Sequence, residues 1–213
     1  MILKTKLAGQ VYAFRDLTDV LAKANDEKSG DVLLGRAAQT VTERTAAKIV
    51  LANLTLADFY ENQVLAPEKD EVSRAIKEDL NLGIYDRIKH WTIGELRDWL
   101  LSHETSGEDV ARISRGIEAE VAAGVAKLMT SMDLVYAASK MVVAGTCYTT
   151  VGLPGTLSFR CQPNHPADDL EGIRASLCEG VSFGSGDACF GVNPVEDTVD
   201  NTKAVLDLLW DFK

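Results

Sequence analysis

The apolar residues of this chain keep a helical period from Asp16 to about Lys140 and then abandon it for short β-prone runs separated by helices. In the first stretch Val41, Ala46, Ile49, Val50 and Leu54, and then Val72, Ala75, Ile76 and Leu80, recur three and four positions apart. That spacing puts them on one face of an α-helix. Thr92-Ile93-Gly94-Glu95 and Thr105-Ser106-Gly107-Glu108 both fit the capping box, in which the Thr hydroxyl accepts from an orphan backbone N–H and the Glu reaches back to the cap. They are expected to start helices carrying Leu96, Trp99 and Leu100, and then Val110, Ile113, Ile117, Val121 and Val125. Tyr85, Trp91 and Trp99 fall on the same spacing among aliphatic residues, which predicts core packing and not ligand stacking. Ahead of the helices, Leu3, Thr5 and Leu7 alternate with Lys4 and Lys6, and Gly9-Gln10 precedes Val11 to Phe14, a pattern suited to a short hairpin.

After Lys140, Met141-Val142-Val143 and Cys147 to Val151 are β-prone, and Gly152-Leu153-Pro154-Gly155 reads as a turn. Thr156 to Gln162 reads as a strand, about Asp168 to Val181 as a helix, Asp187 to Val192 as a fully buried strand, and Asp197 to Trp210 as a second helix. Two strands joined by a helical crossover pair in parallel, the building unit of a doubly wound sheet or a (β/α) barrel. The predicted fold class is therefore α/β. Residues 1–140 form a hairpin plus a helical region, and residues 141–213 carry the βα units.

Thirty-two acidic against 22 basic residues give a formal charge of −10 with no basic stripe, which argues against nucleic acid as a partner. No run approaches the roughly 20 apolar residues needed to span a bilayer. Lys4 and Lys6 interrupt what would have to be the apolar stretch of a signal peptide, so a soluble, cytoplasmic protein is expected. Cys147, Cys161, Cys178 and Cys189 show neither C-x-x-C pairing nor zinc-site spacing to histidine, and buried reduced thiols are the expectation.

In β/α architectures the reactive face lies at the C-terminal ends of the strands. That rule selects Arg160-Cys161-Gln162-Pro163-Asn164-His165 and Asn193-Pro194-Val195. Arg160 and Gln162 are two apart on a strand and leave on the same side of the sheet. A guanidinium supplies donors, and the amides of Gln162 and Asn193 supply donors and acceptors, a trio suited to a small polar substrate. The competing account is that these side chains merely tie down loops. Gly184-Ser185-Gly186-Asp187 precedes a strand instead of following one, so a tight turn explains it better than a dinucleotide fingerprint. His165 is read as structural. Asp168-Asp169 opens a helix, where complementing the helix dipole accounts for both carboxylates.

At these strand ends the sequence resembles the large subunit of ethanolamine ammonia-lyase. The resemblance rests on Thr149 to Thr156, Arg160 with Gln162-Pro163-Asn164, Gly186-Asp187-Ala188 and Gly191 to Val195. Leu21 to Asn25, Ser29-Gly30-Asp31, Glu43-Arg44 and Ala46-Ala47-Lys48 extend it upstream, and Phe159 and Cys161 depart from it. It implies a (β/α)₈ TIM-type barrel preceded by a helical extension, of which this chain holds the extension and the first two βα units. It also implies adenosylcobalamin (coenzyme B12) as cofactor, whose cobalt–carbon bond homolyses so that a radical abstracts hydrogen from ethanolamine, giving acetaldehyde and ammonia. Residues matching Arg160, Gln162 and Asn193 contact substrate in that family, with Arg160 in the catalytic role. The residue matching Pro194 lies against the cobalamin. Implied partners are the small subunit and other large subunits in a hetero-oligomer, and enclosure in a bacterial microcompartment is left open. The rival reading is a non-catalytic association module derived from the lyase.

Overall fold

The computed structural model describes residues 1–146 and 149–213, in two compact units, Met1–Met141 and Val142–Lys213. Cys147 and Tyr148, part of the expected β-prone stretch, lie outside the described residues.

The first unit opens with an antiparallel hairpin of β1 (Lys4–Leu7) and β2 (Gln10–Ala13), in register from Lys4↔Ala13 to Leu7↔Gln10. Its two-residue loop is Ala8-Gly9, with φ of 49° and 82°. Positive φ at both positions is the mark of the turn whose twist matches that of paired strands, and Gly9 adopts it without a Cβ penalty. Ten helices follow among the described residues: α1 (Leu17–Ala24), α2 (Ser29–Leu33), α3 (Val41–Ala52), α4 (Leu56–Glu61), α5 (Glu71–Asp79), α6 (Leu82–Ile88), α7 (Ile93–Leu101), α8 (Gly107–Ser114), α9 (Ala119–Lys127) and α10 (Ser131–Ser139). One core joins α1, α3, α4, α7 and α9 through Val20, Ala46, Ala47, Leu51, Phe59, Ile93, Leu96 and Val121. At about 1.5–3 kcal/mol for each large apolar side chain buried, this core holds together helices too short to persist alone. Lys23 joins α1 to α3 by a 2.6 Å ion pair with Glu43, and it also lies beside Asp19.

Local signals succeed where only neighbouring residues decide them. The box at Thr92 forms as predicted: Glu95 N–H donates to the Thr92 hydroxyl at 3.1 Å, and Thr92 N–H to the Glu95 carboxylate at 2.7 Å. The box expected at Thr105 and Glu108 is displaced by one residue, to Ser106 and Asp109. Thr105 is buried and its hydroxyl donates to the Trp99 carbonyl at 2.6 Å, so it completes the end of α7 instead of starting α8. Tyr85 is buried and Trp91 packs edge-on against Trp99 at the margin of the core, as expected. The periodic face of α5 lacks full cover: Val72 and Ala75 are exposed, Ile76 is half-buried, and Leu80, just beyond the helix, is the residue of that set that is buried.

The second unit contains a short antiparallel pair, β3 (Gly145–Thr146) with β4 (Thr150–Val151), and then β5 (Arg160–Cys161), α11 (Leu170–Ser182), β6 (Cys189–Phe190) and α12 (Val199–Phe212). No strand forms over Met141 to Val143. The turn at Gly152 to Gly155 is present, closed by Thr156 N–H donating to the Leu153 carbonyl. β5 and β6 pair in parallel, Arg160↔Cys189 and Cys161↔Phe190, around the α11 crossover. Cys161, Ile173, Leu177, Val205 and Leu208 form the core between this pair and the two helices.

The strand expected over Thr156 to Gln162 is confined to Arg160–Cys161, and two further expectations change. The strand expected over Asp187 to Val192 is shorter and is not fully buried: Cys189 is exposed and its neighbours are half-buried, because α11 and α12 leave an open apolar hollow of about 950 Å³ lined by Ala188, Cys189, Phe190, Leu206 and Trp210. The thiols are likewise not uniformly buried. Cys161 is buried, whereas Cys178 and Cys189 are exposed, because they face away from the small core. No helix among the described residues is long and apolar enough to cross a membrane.

Candidate functional site at the ends of β5 and β6

Alternation along β5 sorts its side chains between two faces. Cys161 turns into the core, while Arg160 and Gln162, the latter just past the strand end, are exposed. Around this alternation the ladder is short but well tied. Ala188 N–H donates to the Phe159 carbonyl at 3.2 Å, and Gly191 N–H to the Cys161 carbonyl at 3.1 Å. Phe159 N–H donates to the Asp187 carboxylate at 2.7 Å, which extends the pairing by a side chain.

The guanidinium of Arg160 lies across β6 on Gly191. A Cβ at Gly191 would stand 2.7 Å from both Cζ and Nε of Arg160, closer than nonbonded carbon tolerates. The absence of a side chain at Gly191 is therefore what lets Arg160 lie flat over the end of the second strand. Two residues further on, Asn193 is exposed and Pro194 half-buried. Arg160, Gln162 and Asn193 thus stand at the C-terminal ends of adjacent parallel strands.

The loops that carry them are held by other residues. Asn193 N–H donates to the Asn164 side-chain oxygen at 3.0 Å. The Asp168 carboxylate accepts from Val195 N–H at 2.8 Å, Glu196 N–H at 2.9 Å and the Asn201 amide at 2.7 Å. Glu196 and Val195 amides, with Asn201, hold the Asp168 carboxyl below the usual carboxylate range against the opposing effect of burial. Complementing the helix dipole, the account expected for the Asp168-Asp169 pair, applies to Asp169, which caps α11 by accepting from Gly172 N–H at 2.8 Å. Asp168 does something else: it reaches from the loop after β5 to the loop after β6. His165 is structural as read, its Nδ1 accepting from Ala167 and Asp169 N–H. Gly184 and Gly186, with φ of 79° and 94°, form the tight turn into β6.

Among the described residues, the side chains of Arg160, Gln162 and Asn193 make none of the hydrogen bonds that tie these loops, which come from Asn164, Asp168 and Asn201. Sequence reasoning missed Asn164 and Asp168 as loop ties and Gly191 as the seat of Arg160. Their partners lie 27 to 33 residues away, beyond the reach of any local pattern.

Residues 12–213 match the family described as ethanolamine ammonia lyase large subunit. The chain belongs to that family. It is 51% identical over 210 residues to the ethanolamine ammonia-lyase large subunits of Salmonella typhimurium (strain LT2) and Escherichia coli (strain K12), matching 99% of this chain. It spans about half the length of those relatives, 46% in each case.

Proposed function

We propose that this chain is the part of an ethanolamine ammonia-lyase large subunit that supplies one wall of the substrate site, at the first two βα units of a (β/α)₈ barrel. The carrying observation is that Arg160, Gln162 and Asn193 sit exposed at adjacent strand ends while other residues tie the loops. That division supports a binding role for the three side chains over a structural one. Ethanolamine presents an ammonium and a hydroxyl. The amide oxygens of Gln162 and Asn193 can accept from the ammonium, and Arg160 can donate to the hydroxyl oxygen. An ammonium about 4 Å from a guanidinium is repelled by about 4 kcal/mol at an effective dielectric of 20, so carboxylates contributed from elsewhere in the full-length subunit must neutralise the site.

Adenosylcobalamin fits the same end of the sheet through Pro194 and the exposed Val195, which give the loop an apolar face against which a flat macrocycle can lie. When bound it supplies hydrogen abstraction through homolysis of its cobalt–carbon bond. The chain's own residues orient ethanolamine and help keep water from the site. The small subunit and further large subunits complete the assembly in this reading.

The test is steady-state kinetics on full-length large subunit with small subunit and cofactor in excess. Arg160→Ala is expected to lower kcat/KM for ethanolamine at least about tenfold, since removing a charge-assisted hydrogen bond costs on the order of 1.5–3 kcal/mol. Asn193→Ala is expected to weaken substrate binding. Wild-type parameters in both variants would sink the assignment.

A further inference from the structure

Asp168 is a buried charged side chain in a unit whose other carboxylates are exposed or half-buried, and its side-chain bonds all run forward, to the loop after β6 and to Asn201 in the first turn of α12. It holds a left-handed backbone, φ 49°, which Asp and Asn tolerate better than most residues. From there it accepts the backbone amides of Val195 and Glu196 and the Asn201 side chain. Asn164, four residues earlier, accepts the amide of Asn193. The two ties bracket the segment from both sides. Pro194 between them has no N–H to be satisfied. Beyond these, the Asn201 side chain and Thr198 N–H donate to the Glu196 carbonyl at the far end of the loop, while β6 is two residues long and Asn193 and Val195 are exposed.

We propose that Asp168 is a positioning residue that, together with Asn164, fixes the segment Asn193 to Val195 so that the Asn193 side chain is held toward the substrate. The inference rests on Asn193 contacting substrate, as set out under the proposed function. Fixing a loop in advance removes an ordering cost from the binding step. A displacement of about 1 Å at a contact residue can cost on the order of a hundredfold in rate. The depressed carboxyl pKa agrees with a carboxylate that stays charged while it serves three N–H groups.

The experiment is a double-mutant cycle in the full-length large subunit, assembled with small subunit and adenosylcobalamin. Asp168→Asn preserves tolerance of the left-handed backbone and turns an NH₂ toward amides that need an acceptor. It is expected to lower kcat/KM for ethanolamine at least about fivefold in the wild-type background, and less than about twofold when Asn193→Ala is already present. A merely structural contribution would act equally in both backgrounds, and equal losses would overturn the proposal. If Asp168→Asn does not fold, Asn164→Ala takes its place in the cycle, because that exposed side chain makes a single tie to the Asn193 amide. Should Asn193→Ala impair turnover while neither Asp168→Asn nor Asn164→Ala does, the clamp fails and the substrate site stands. A silent Asn193→Ala would instead remove the substrate site, and the clamp with it.

Discussion

Gly191→Ala offers a clean probe of Arg160, because the two residues meet without any chemistry between them. Gly191 does not occupy the left-handed region, so alanine meets no backbone penalty there. The new Cβ would instead fall 2.7 Å from Cζ and Nε of Arg160. An ordinary carbon contact is about 3.5–4.0 Å, so the guanidinium must retreat by roughly 1 Å. Arg160 is exposed and flexible and can retreat at little cost to the fold, and stability should stay within about 0.5 kcal/mol of wild type. A retreat of that size at a substrate contact is expected to lower kcat/KM for ethanolamine between about tenfold and a hundredfold, or about 1.4–2.7 kcal/mol of transition-state stabilisation. The assay is steady-state kinetics of the full-length holoenzyme beside Arg160→Ala, with thermal melts of each variant. Unchanged kcat/KM in Gly191→Ala next to an impaired Arg160→Ala would refute the argument that Gly191 seats the guanidinium.

Tyr85 is pushed up to about 12 by burial, with Glu118 and other nearby acidic groups adding to the shift. The unfolded Tyr ionises near pH 10, so the stabilisation is fully present below pH 10 and is lost as pH rises to about 12, a fall of about 2.7 kcal/mol. Denaturant unfolding at pH 9 and pH 11 should show Tyr85→Phe losing about 1.4 kcal/mol less than wild type, and equal losses would contradict the assignment. The 213-residue chain, incubated alone with adenosylcobalamin and ethanolamine, should give no substrate radical by electron paramagnetic resonance; a strong signal would show that the remaining carboxylates are dispensable. The same chain should self-associate through the open hollow between α11 and α12. Trp210 is 72% exposed there, and burying most of an indole contributes on the order of 3–4 kcal/mol. Sedimentation across a dilution series should show oligomers for wild type and fewer for Trp210→Ser, and a wild-type monomer at every concentration would count against it.

Features that a few neighbouring residues settle can be read directly along the chain. The N-terminal hairpin follows from apolar alternation on both sides of Gly9, the cap at Thr92 needs a hydroxyl and a carboxylate three apart, and the β-α-β-α order follows from a change of apolar period. Strand alternation likewise anticipated that Cys161 turns into the core and Arg160 away from it. Whatever depends on a partner distant in the chain is set by packing alone. Thr105 and Ser106 are equally good caps on paper, and the Trp99 carbonyl makes the choice. The apolar face of α5 and the strand around Cys189 look buried by composition, yet burial requires a second element to pack against, and α5 and β6 lack full cover here. Asp168 looks like a helix-opening carboxylate beside Asp169, and only the approach of the loop after β6 turns it into a tie between loops. Local geometry is written in adjacent residues because it costs little chain entropy to assemble. Contacts 27 or more residues apart depend on which surfaces the whole fold brings together, and no short pattern encodes them.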